Sequence, residues 1–323
     1  MYDRGLSVLE QYGLEARTTY RGRGSLICDT QEGLVMIKEF TGSSQKLEKQ
    51  AQLLEAAAEK GQVQLDILLR NQEEQYLSFD KDNVGYYVKR WYAGRECDTR
   101  SREDIMCSIR ALARLHQVLR MPWEENYVRE PLQEEYTRHN REMRKIRKFI
   151  RKKQQKNSFE NRYLESVDWF LEKGEDVVCK LESSGYGTLR EQARKEGHVC
   201  HGEYNQHNIL LLEDKEAVTN LDKWNFDVQM ADLYQFMRKI MEKNDWNSQL
   251  GQQMIAEYDK YSPLRAEEYQ NLQLRFAYPE KYWKLANHYY TRKKAWISQK
   301  DLEKLETIIE QKQKWAQFWM SMS

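Results

Sequence analysis

The apolar pattern of the chain changes near residue 95, and this change constrains the fold more than any other feature of the sequence. Before that point, short runs alternate apolar and polar residues as strands do, and one run of good helix formers at residues 45–60 separates them. From Arg102 onward helical spacing dominates, interrupted by a short apolar patch around residues 199–221. The sequence therefore predicts an α+β protein, with a strand-rich part at residues 1–95 and a mainly helical part at residues 96–323.

The strand-rich part divides into a meander, a helix and further strands. Residues 17–40 form the predicted meander, with a glycine-bearing turn at residues 21–24 and Lys38 at the end of the last strand. The helix at residues 45–60 ends at Gly61. Further strands are predicted at residues 65–70, 75–79 and 85–91.

Composition excludes several classes of protein. Only 15 glycines and 4 prolines in 323 residues favour helix, and a 40% hydrophobic content can form a core. Because the 52 basic residues are balanced by 51 acidic ones, bulk nucleic acid is not an expected partner. The five cysteines never form a CxxC pair, so neither a disulfide framework nor a zinc site is expected. No signal peptide or stretch of about 18 apolar residues is found, which predicts cytoplasmic synthesis and no membrane partner.

The segment from His201 to Asn208 reads HGEYNQHN, stands between apolar runs and is followed by Asp222. A phosphotransferase needs one carboxylate near the acceptor hydroxyl, and an amide oxygen and a second carboxylate for its metal. Glu203, Asn208 and Asp222 supply these three groups. Taken singly, each is typical of a surface loop, but their joint spacing favours a catalytic loop.

This pattern, H-G-[DE]-x(4)-N followed by an Asp, resembles the catalytic loop of aminoglycoside phosphotransferases and of choline and homoserine kinases. Residues 91–98 (WYAGRECD) and 276–297 further resemble segments of CotS-type spore-coat-associated proteins. The resemblance implies a two-lobed, protein-kinase-like fold, with residues 1–95 as the nucleotide-binding lobe and residues 96–323 as a helical lobe carrying the catalytic loop. It also implies ATP and Mg²⁺ as cofactors, a hydroxyl compound as acceptor, and spore-coat proteins as partners in the spore coat.

The resemblance assigns roles to single residues. Glu203 is the expected catalytic base, and His201 is expected to brace its loop. Asn208 and Asp222 are the expected Mg²⁺ ligands. Three further residues are expected at the nucleotide. Lys38 is expected to contact the α- and β-phosphates, and Glu48, with Glu55 as its rival, to pair with that lysine. Trp91 is expected at the hinge beside the adenine.

Two departures from the family pattern keep two functions open. The base position usually holds Asp, and the extra methylene of Glu203 moves the carboxylate by roughly one C–C bond, where a shift of about 1 Å can cost ~100-fold in rate. Lys223 adds a positive charge beside the expected metal site. The chain is therefore either an active phosphotransferase acting on a small molecule or coat component, or a kinase-like scaffold of the spore coat with weak or absent transfer.

Residues 138–156 carry ten basic residues against Glu142 alone. They predict either a solvated helix face with Ile146, Phe149 and Ile150 turned inward, or a surface that binds anions.

Other chemically suggestive residues have structural interpretations. His207 is interpreted as a loop residue and His116 as a helix-packing residue, because neither has zinc-ligand spacing. Asp232 is expected to have a structural role at a helix start. Aromatic residues from 278 onward are expected to pack in the core; those at helical spacing with their apolar neighbours are Tyr282, Leu285, Ala286, Tyr289 and Tyr290.

Overall fold

The computed structural model describes residues 5–22, 24–291 and 299–322, and the chain divides into two compact units. The first unit contains residues 1–123, 196–236 and 257–262, and the second contains residues 124–195, 237–256 and 263–323. The predicted boundary after residue 95 lies inside the first unit and stays a prediction.

The strands that the structure describes all belong to the first unit. They are β1 (Ala16–Gly22), β2 (Ser25–Thr30), β3 (Gly33–Glu39), β4 (Gln64–Leu65), β5 (Ser78–Phe79), β6 (Gly85–Arg90), β7 (Arg95–Glu96), β8 (Val199–Cys200), β9 (Ile209–Leu211), β10 (Glu216–Val218) and β11 (Asn225–Phe226). One sheet has the order β1-β2-β3-β6-β5 with every pair antiparallel. A second has the order β4-β10-β9-β7, and β8 pairs with β11.

The helices are α1 (Ser44–Glu59), α2 (Arg102–Val118), α3 (Leu132–Lys152), α4 (Ser158–Ser183), α5 (Tyr186–Glu196), α6 (Met230–Lys243), α7 (Ser248–Tyr261), α8 (Ala266–Ala277), α9 (Glu280–Thr291) and α10 (Gln299–Met320). None of the helices that the structure describes is long and apolar enough to cross a membrane.

The two central strands of the first sheet have unlike faces. Val35 and Ile37 of β3 point into a core cluster with Tyr86 and Val88 of β6. Alternation along a strand sends the intervening side chains to the opposite face. Lys38 therefore shares the second face with Tyr87, its direct partner in the register. This second face leads to the candidate site.

The predicted meander, the helix that follows it and the strand with Lys38 are confirmed. The strand predicted at residues 65–70 is wrong in extent, because it contains only the end of β4 and an isolated bridge between Leu68 and Lys89. A turn follows, in which the side chain of Asn71 accepts hydrogen bonds from the backbone of residues 73 and 75. This turn uses the backbone groups that a longer strand would need.

The second unit is helical and is built around α3, α4, α8, α9 and α10, whose contacts bury stacked aromatic rings. Tyr136 and Tyr278 stack with ring centroids 3.6 Å apart, and Phe170 stacks on Tyr282 at 4.0 Å. The predicted burial of Tyr282, Leu285 and Ala286 is confirmed. The same prediction is wrong for Tyr290, which is 47% exposed.

The basic segment forms most of α3, with Ile146 and Ile150 buried as predicted. Phe149 is instead 49% exposed and packs edge-on against Tyr290. It differs because it lies at the margin of the apolar face that Ile146 and Ile150 share at a spacing of four residues. Residues 292–298, which contain part of the C-terminal signature at residues 276–297, are outside the described residues.

Candidate active site

Hydrogen bonds between the His201 ring and backbone groups hold the predicted catalytic loop. The Nδ1 atom of buried His201 accepts from the Glu203 N–H at 3.2 Å, so its Nε2 carries the proton that reaches the carbonyl oxygen of Thr219 at 3.0 Å. Gly202 has φ +79°, and an added Cβ there would lie 2.0 Å from the backbone oxygen of Lys223. Only glycine therefore fits at this turn.

Asp232, in the first turn of α6, accepts two backbone N–H groups of this loop. Its Oδ2 lies 2.6 Å from the His201 nitrogen, and its Oδ1 lies 2.9 Å from the Gly202 nitrogen. The Nε2 of His116 lies 3.3 Å from Oδ2, while its Nδ1 faces the Tyr258 hydroxyl at 2.7 Å. Burial opposes ionisation of Asp232, but these donors outweigh it and hold the pKa of Asp232 below its usual value.

Asn208 is buried, and both ends of its side-chain amide are engaged. Its Nδ2 donates to the Glu203 carbonyl at 3.0 Å, which closes the loop on itself. Its Oδ1 accepts from Nδ2 of Asn220 at 2.9 Å. The amide oxygen is thereby oriented toward the segment that carries Asp222.

Asp222 lies where the second face of the first sheet meets α1. Its carboxylate forms an ion pair with Lys38 and accepts from Gln50 Nε2 at 3.2 Å and from the Tyr87 hydroxyl at 3.3 Å. Burial raises its pKa, but Lys89 and Lys38 outweigh burial, so the pKa of Asp222 lies well below its usual range. Asp222 is therefore an anion near neutral pH.

A buried ion pair lies behind this carboxylate. The side chains of Lys89 and Asp66 are each 1% exposed, and Lys89 Nζ lies 2.5 Å from Asp66 Oδ2. Lys89 also donates to the Asn220 side chain at 2.8 Å, and the Asn220 N–H donates to Asp66 at 2.8 Å. Asn220 adopts the left-handed conformation, with φ 64°. The pair thus fixes the residue that orients Asn208.

Glu203 forms an ion pair with Lys223, whose Nζ lies 3.0 Å from Glu203 Oε1. The lysine side chain is 65% exposed and the glutamate 38%. An exposed pair of this kind contributes about 0–1 kcal/mol, so it is easily broken.

Two cavities meet at these groups. One, of about 260 Å³, is lined by Lys38, Glu203, Asn208, Asn220 and Asp222 among others. The other, of about 480 Å³, shares Lys38, Glu203 and Asp222 and adds Lys223 and the start of α1. The structure thus brings Lys38, Glu203, Asn208 and Asp222 together, as the sequence predicts.

The structure does not bring Glu48 or Glu55 to Lys38. Glu48 is exposed and lines a separate cavity with Arg70 and Tyr76. Glu55 accepts from the Tyr76 hydroxyl at 2.7 Å. The reason is helical phase: Gln50, not Glu48, lies on the buried face of α1 that meets Asp222. Asp222 takes the place of the expected carboxylate partner of Lys38.

Trp91 follows β6 in the segment that runs from the first sheet to the second. Its N–H donates to the Leu34 carbonyl at 2.8 Å, and its side chain is buried with Ile27, Met36, Leu210 and Ala217. Its role beside an adenine stays a prediction.

The other residues singled out in the sequence lie as follows. His207 is exposed and its Nδ1 lies 2.5 Å from Glu96. The glycine-bearing turn at residues 21–24 connects β1 and β2, and Arg23 is outside the described residues.

Sequence reasoning missed Gln50, Tyr87, and the Lys89–Asp66 pair with Asn220. One signal was present: Tyr87, Lys89 and Trp91 alternate with the core residues of β6, so they share the face of Lys38. A lysine in an apolar strand next to Lys38 marks a polar interior surface.

In the described ranges, no group of three or more His, Cys, Asp and Glu residues is arranged to hold a metal ion. The expected ligands are one carboxylate, Asp222, and one amide oxygen, Asn208, which line the same cavity. Both are hard oxygen donors of the kind that Mg²⁺ accepts, and Mg²⁺ commonly keeps several waters, so two protein ligands fit it.

Comparison with solved structures confirms the kinase-like fold. An aminoglycoside phosphotransferase from Alicyclobacillus acidocaldarius subsp. acidocaldarius has a TM-score of 0.88 at 17% identity, over 98% of this chain and 94% of that one. A spectinomycin phosphotransferase in complex with ADP and spectinomycin has a TM-score of 0.60 at 13% identity, over 94% and 92%. An amicoumacin kinase in complex with AMP-PNP and Ca²⁺ has a TM-score of 0.60 at 12% identity, over 98% and 94%. At these identities the likeness shows the fold alone.

Sequence comparison confirms the resemblance to spore-coat proteins. Spore coat protein S of Bacillus subtilis (strain 168) is 24% identical over 153 residues, which are 47% of this chain and 44% of that relative. The match thus spans less than half of the relative's length. The profile of the family described as "Spore coat putative kinase YutH" matches residues 6–322, so this chain belongs to that family of kinase-like spore-coat proteins.

Proposed function

We propose that this chain is a phosphotransferase that binds ATP with Mg²⁺ and transfers the γ-phosphoryl group to a hydroxyl of a small molecule or a coat component. The observation that carries the proposal is the convergence of Lys38, Glu203, Asn208 and Asp222 on one cavity. The fold supports it, and so do the solved structures described as complexes with ADP and with AMP-PNP.

Each residue has a separate task in this proposal. Lys38 leaves its ion pair with Asp222 and binds the α- and β-phosphates. Asp222 and Asn208 would hold Mg²⁺, which neutralises phosphate charge when bound. The pairing of Lys38 with Asp222 keeps both charges satisfied when no nucleotide is bound.

Glu203 accepts the proton of the acceptor hydroxyl as that oxygen forms its bond to the γ-phosphorus, and the bond from phosphorus to ADP breaks. Its carboxylate must first leave Lys223, at a cost of about 1 kcal/mol or less because the pair is exposed. His201 and Asp232 hold the loop, so the carboxylate moves while the backbone stays in place.

A second function, a kinase-like scaffold of the spore coat without transfer, is favoured by the same Glu203–Lys223 pair. A base that is engaged by a lysine is not directed at an acceptor. Localisation to the spore coat is part of both proposals and is supported by the family.

Transfer of phosphate from γ-labelled ATP tests the two functions. The assay uses a spore-coat extract and a panel of small hydroxyl compounds with wild type, Glu203→Asp and Glu203→Gln. Glu213→Gln is the matched control, because Glu213 is an exposed acid in the turn between β9 and β10.

An active enzyme should lose about 100-fold or more in rate with Glu203→Gln, because the amide cannot accept the proton, and less with Glu203→Asp. The control should stay active. In a scaffold that has lost catalysis, Glu203→Asp is neutral or raises a residual ATPase by restoring the usual reach. Absence of transfer by wild type and both Glu203 variants refutes the enzymatic proposal and supports the scaffold.

A further inference from the structure

The basic residues of α3 fall into two rows with different surroundings. One row is paired with acids of the second unit. Arg144 pairs with Glu175, and both Arg147 and Arg151 pair with Asp168. These residues join α3 to α4, so their charges are used within the protein.

The other row has no such partners. Arg141, Lys145, Lys148 and Lys152 follow one another at intervals of four, three and four residues, which places them on one side of the helix. All four are exposed, and they have no acidic partner in the part of the chain that the structure describes. From Arg141 to Lys152, a distance of eleven helical rises, this row, here called the cationic stripe, is about 16 Å long.

An exposed aromatic pair lies along one side of the cationic stripe. Phe149 and Tyr290 are 49% and 47% exposed, and their rings meet edge to face with centroids 5.4 Å apart. Two large aromatic side chains left in water beside a row of cations are typical of a surface that is covered by a partner.

Like charges at this spacing disfavour a helix, and none of the four cations forms an ion pair with an acid of the described residues. Repulsion among the four cations therefore lowers the stability of the free protein, and no ion pair of these residues offsets it in the described part of the chain. A ligand with negative charges at the same spacing would reverse that repulsion.

We propose that the cationic stripe and the Phe149–Tyr290 pair bind an acidic polypeptide segment of another protein. Carboxylates of the segment meet the four cations, and an apolar side chain covers the two rings. The proposal does not depend on phosphoryl transfer. The family of spore-coat proteins makes a protein partner the occupant to which we commit.

Other classes of occupant are disfavoured. The balance of 52 basic against 51 acidic residues in the whole chain disfavours a long polyanion such as nucleic acid. A bilayer is disfavoured for another reason, because the apolar face of α3 is already buried at Met143, Ile146 and Ile150. Only the aromatic pair remains to enter lipid.

The test measures fluorescence anisotropy of a labelled peptide with the full chain. The probe is a helical peptide of about twelve residues, with four glutamates at intervals of four, three and four and one leucine beside them. Its matched control replaces the glutamates with glutamines. The protein variants are Lys145→Gln/Lys148→Gln and Phe149→Ala, with Lys60→Gln/Lys81→Gln as a control of equal charge change in the first unit.

We expect the acidic peptide to bind wild type, and the stripe double variant to weaken binding about five-fold or more, since each exposed ion pair adds a modest factor. Phe149→Ala should weaken binding by a smaller factor. The control variant should bind within about two-fold of wild type, and all variants should melt within about 2 °C of it.

Three results would overturn the proposal. The first is no binding of the acidic peptide at millimolar concentration, or equal binding of the glutamine peptide. The second is an equal loss in the Lys60/Lys81 control. The third is that a short DNA duplex, or vesicles containing phosphatidylserine, bind through the stripe more tightly than the acidic peptide.

Discussion

Replacing Lys89 by methionine should destabilise the first unit strongly and in a pH-dependent way. The change keeps an unbranched side chain, one atom shorter, but leaves the Asp66 carboxylate, 1% exposed, without its cation. Only the Asn220 N–H would still donate to it, and Asp66 Oδ1 already has no hydrogen-bond partner. A buried charge left in this way costs several kcal/mol.

The loss in the free energy of unfolding has an upper limit, because the folded variant can protonate Asp66 and so remove the buried charge. Burial already raises the pKa of Asp66 above its ordinary value of 3.8, and Lys89 opposes that rise. Without Lys89 the folded protein binds a proton that the unfolded chain gives up above pH 3.8. At about 1.36 kcal/mol per pH unit, the cost is limited to about 4 kcal/mol at pH 7 and to under about 2 kcal/mol at pH 5.

The sign is that of a carboxyl group with a raised folded-state pKa: the penalty is present above the unfolded pKa and disappears as the pH falls toward it. Urea unfolding of wild type and Lys89→Met at pH 7 and pH 5 measures both values. The double variant Asp66→Asn/Lys89→Met is the matched control, and its free energy of unfolding at pH 7 should fall much less. The reasoning would be refuted if Lys89→Met lowered the free energy of unfolding by less than about 1 kcal/mol at pH 7, or if the decrease were not smaller at pH 5.

Two further predictions concern other parts of the fold. Burial, assisted by Arg138, lowers the pKa of His139 to about 3, so the unfolded chain takes up a proton first and stability falls as the pH drops below 6.5. His139 should make wild type about 2 kcal/mol less stable at pH 5 than at pH 7, as measured by urea unfolding. His139→Gln should lack this part of the pH dependence, and a variant with the pH dependence of wild type would refute the prediction. Gly202→Ala should cost at least about 2 kcal/mol, because it combines a left-handed φ with contact against the Lys223 backbone. The matched Gly187→Ala, which meets open space in α5, should stabilise by about 0.5–1 kcal/mol, and equal effects of the two changes would contradict this account.

Much of the fold could be predicted because its signals are local. The meander, α1 and the helices after Arg102 each follow from apolar spacing within a dozen residues. The loop from His201 to Asn208 can be predicted for the same reason, since its residues lie close together in the sequence.

The site could be predicted only in part because its support comes from distant segments. Lys89 and Asp66 are separated in the chain, and each alone reads as an ordinary charged residue. A buried ion pair of this kind leaves no local pattern. Asn220 becomes visible as an orienting residue only when its contacts with Asn208 and Lys89 are known.

The prediction of Glu48 differs from the structure for a different reason. It rests on chemistry, because Glu48 is an acid on the helix after Lys38, and not on which side of α1 is buried. Leu47, Gln50, Ala51 and Leu54 mark that side, so helical phase pointed to Gln50. Phe149 and Tyr290 show that helical phase can also mislead, because an apolar residue at the margin of a helix face can remain exposed to water.

The central claim is that Asp222 and Asn208 hold a metal–nucleotide complex at the cavity beside Lys38. Thermal unfolding of wild type, Asp222→Ala and the control Asp214→Ala, an exposed acid in the turn after β9, tests it with ATP in the presence of Mg²⁺ or EDTA. The account predicts that ATP with Mg²⁺ stabilises wild type and the control by about 2.7 kcal/mol at 100 times the dissociation constant, and that the shift is lost in EDTA and in Asp222→Ala. No shift of wild type at millimolar ATP with Mg²⁺, or a full shift in Asp222→Ala, would contradict it.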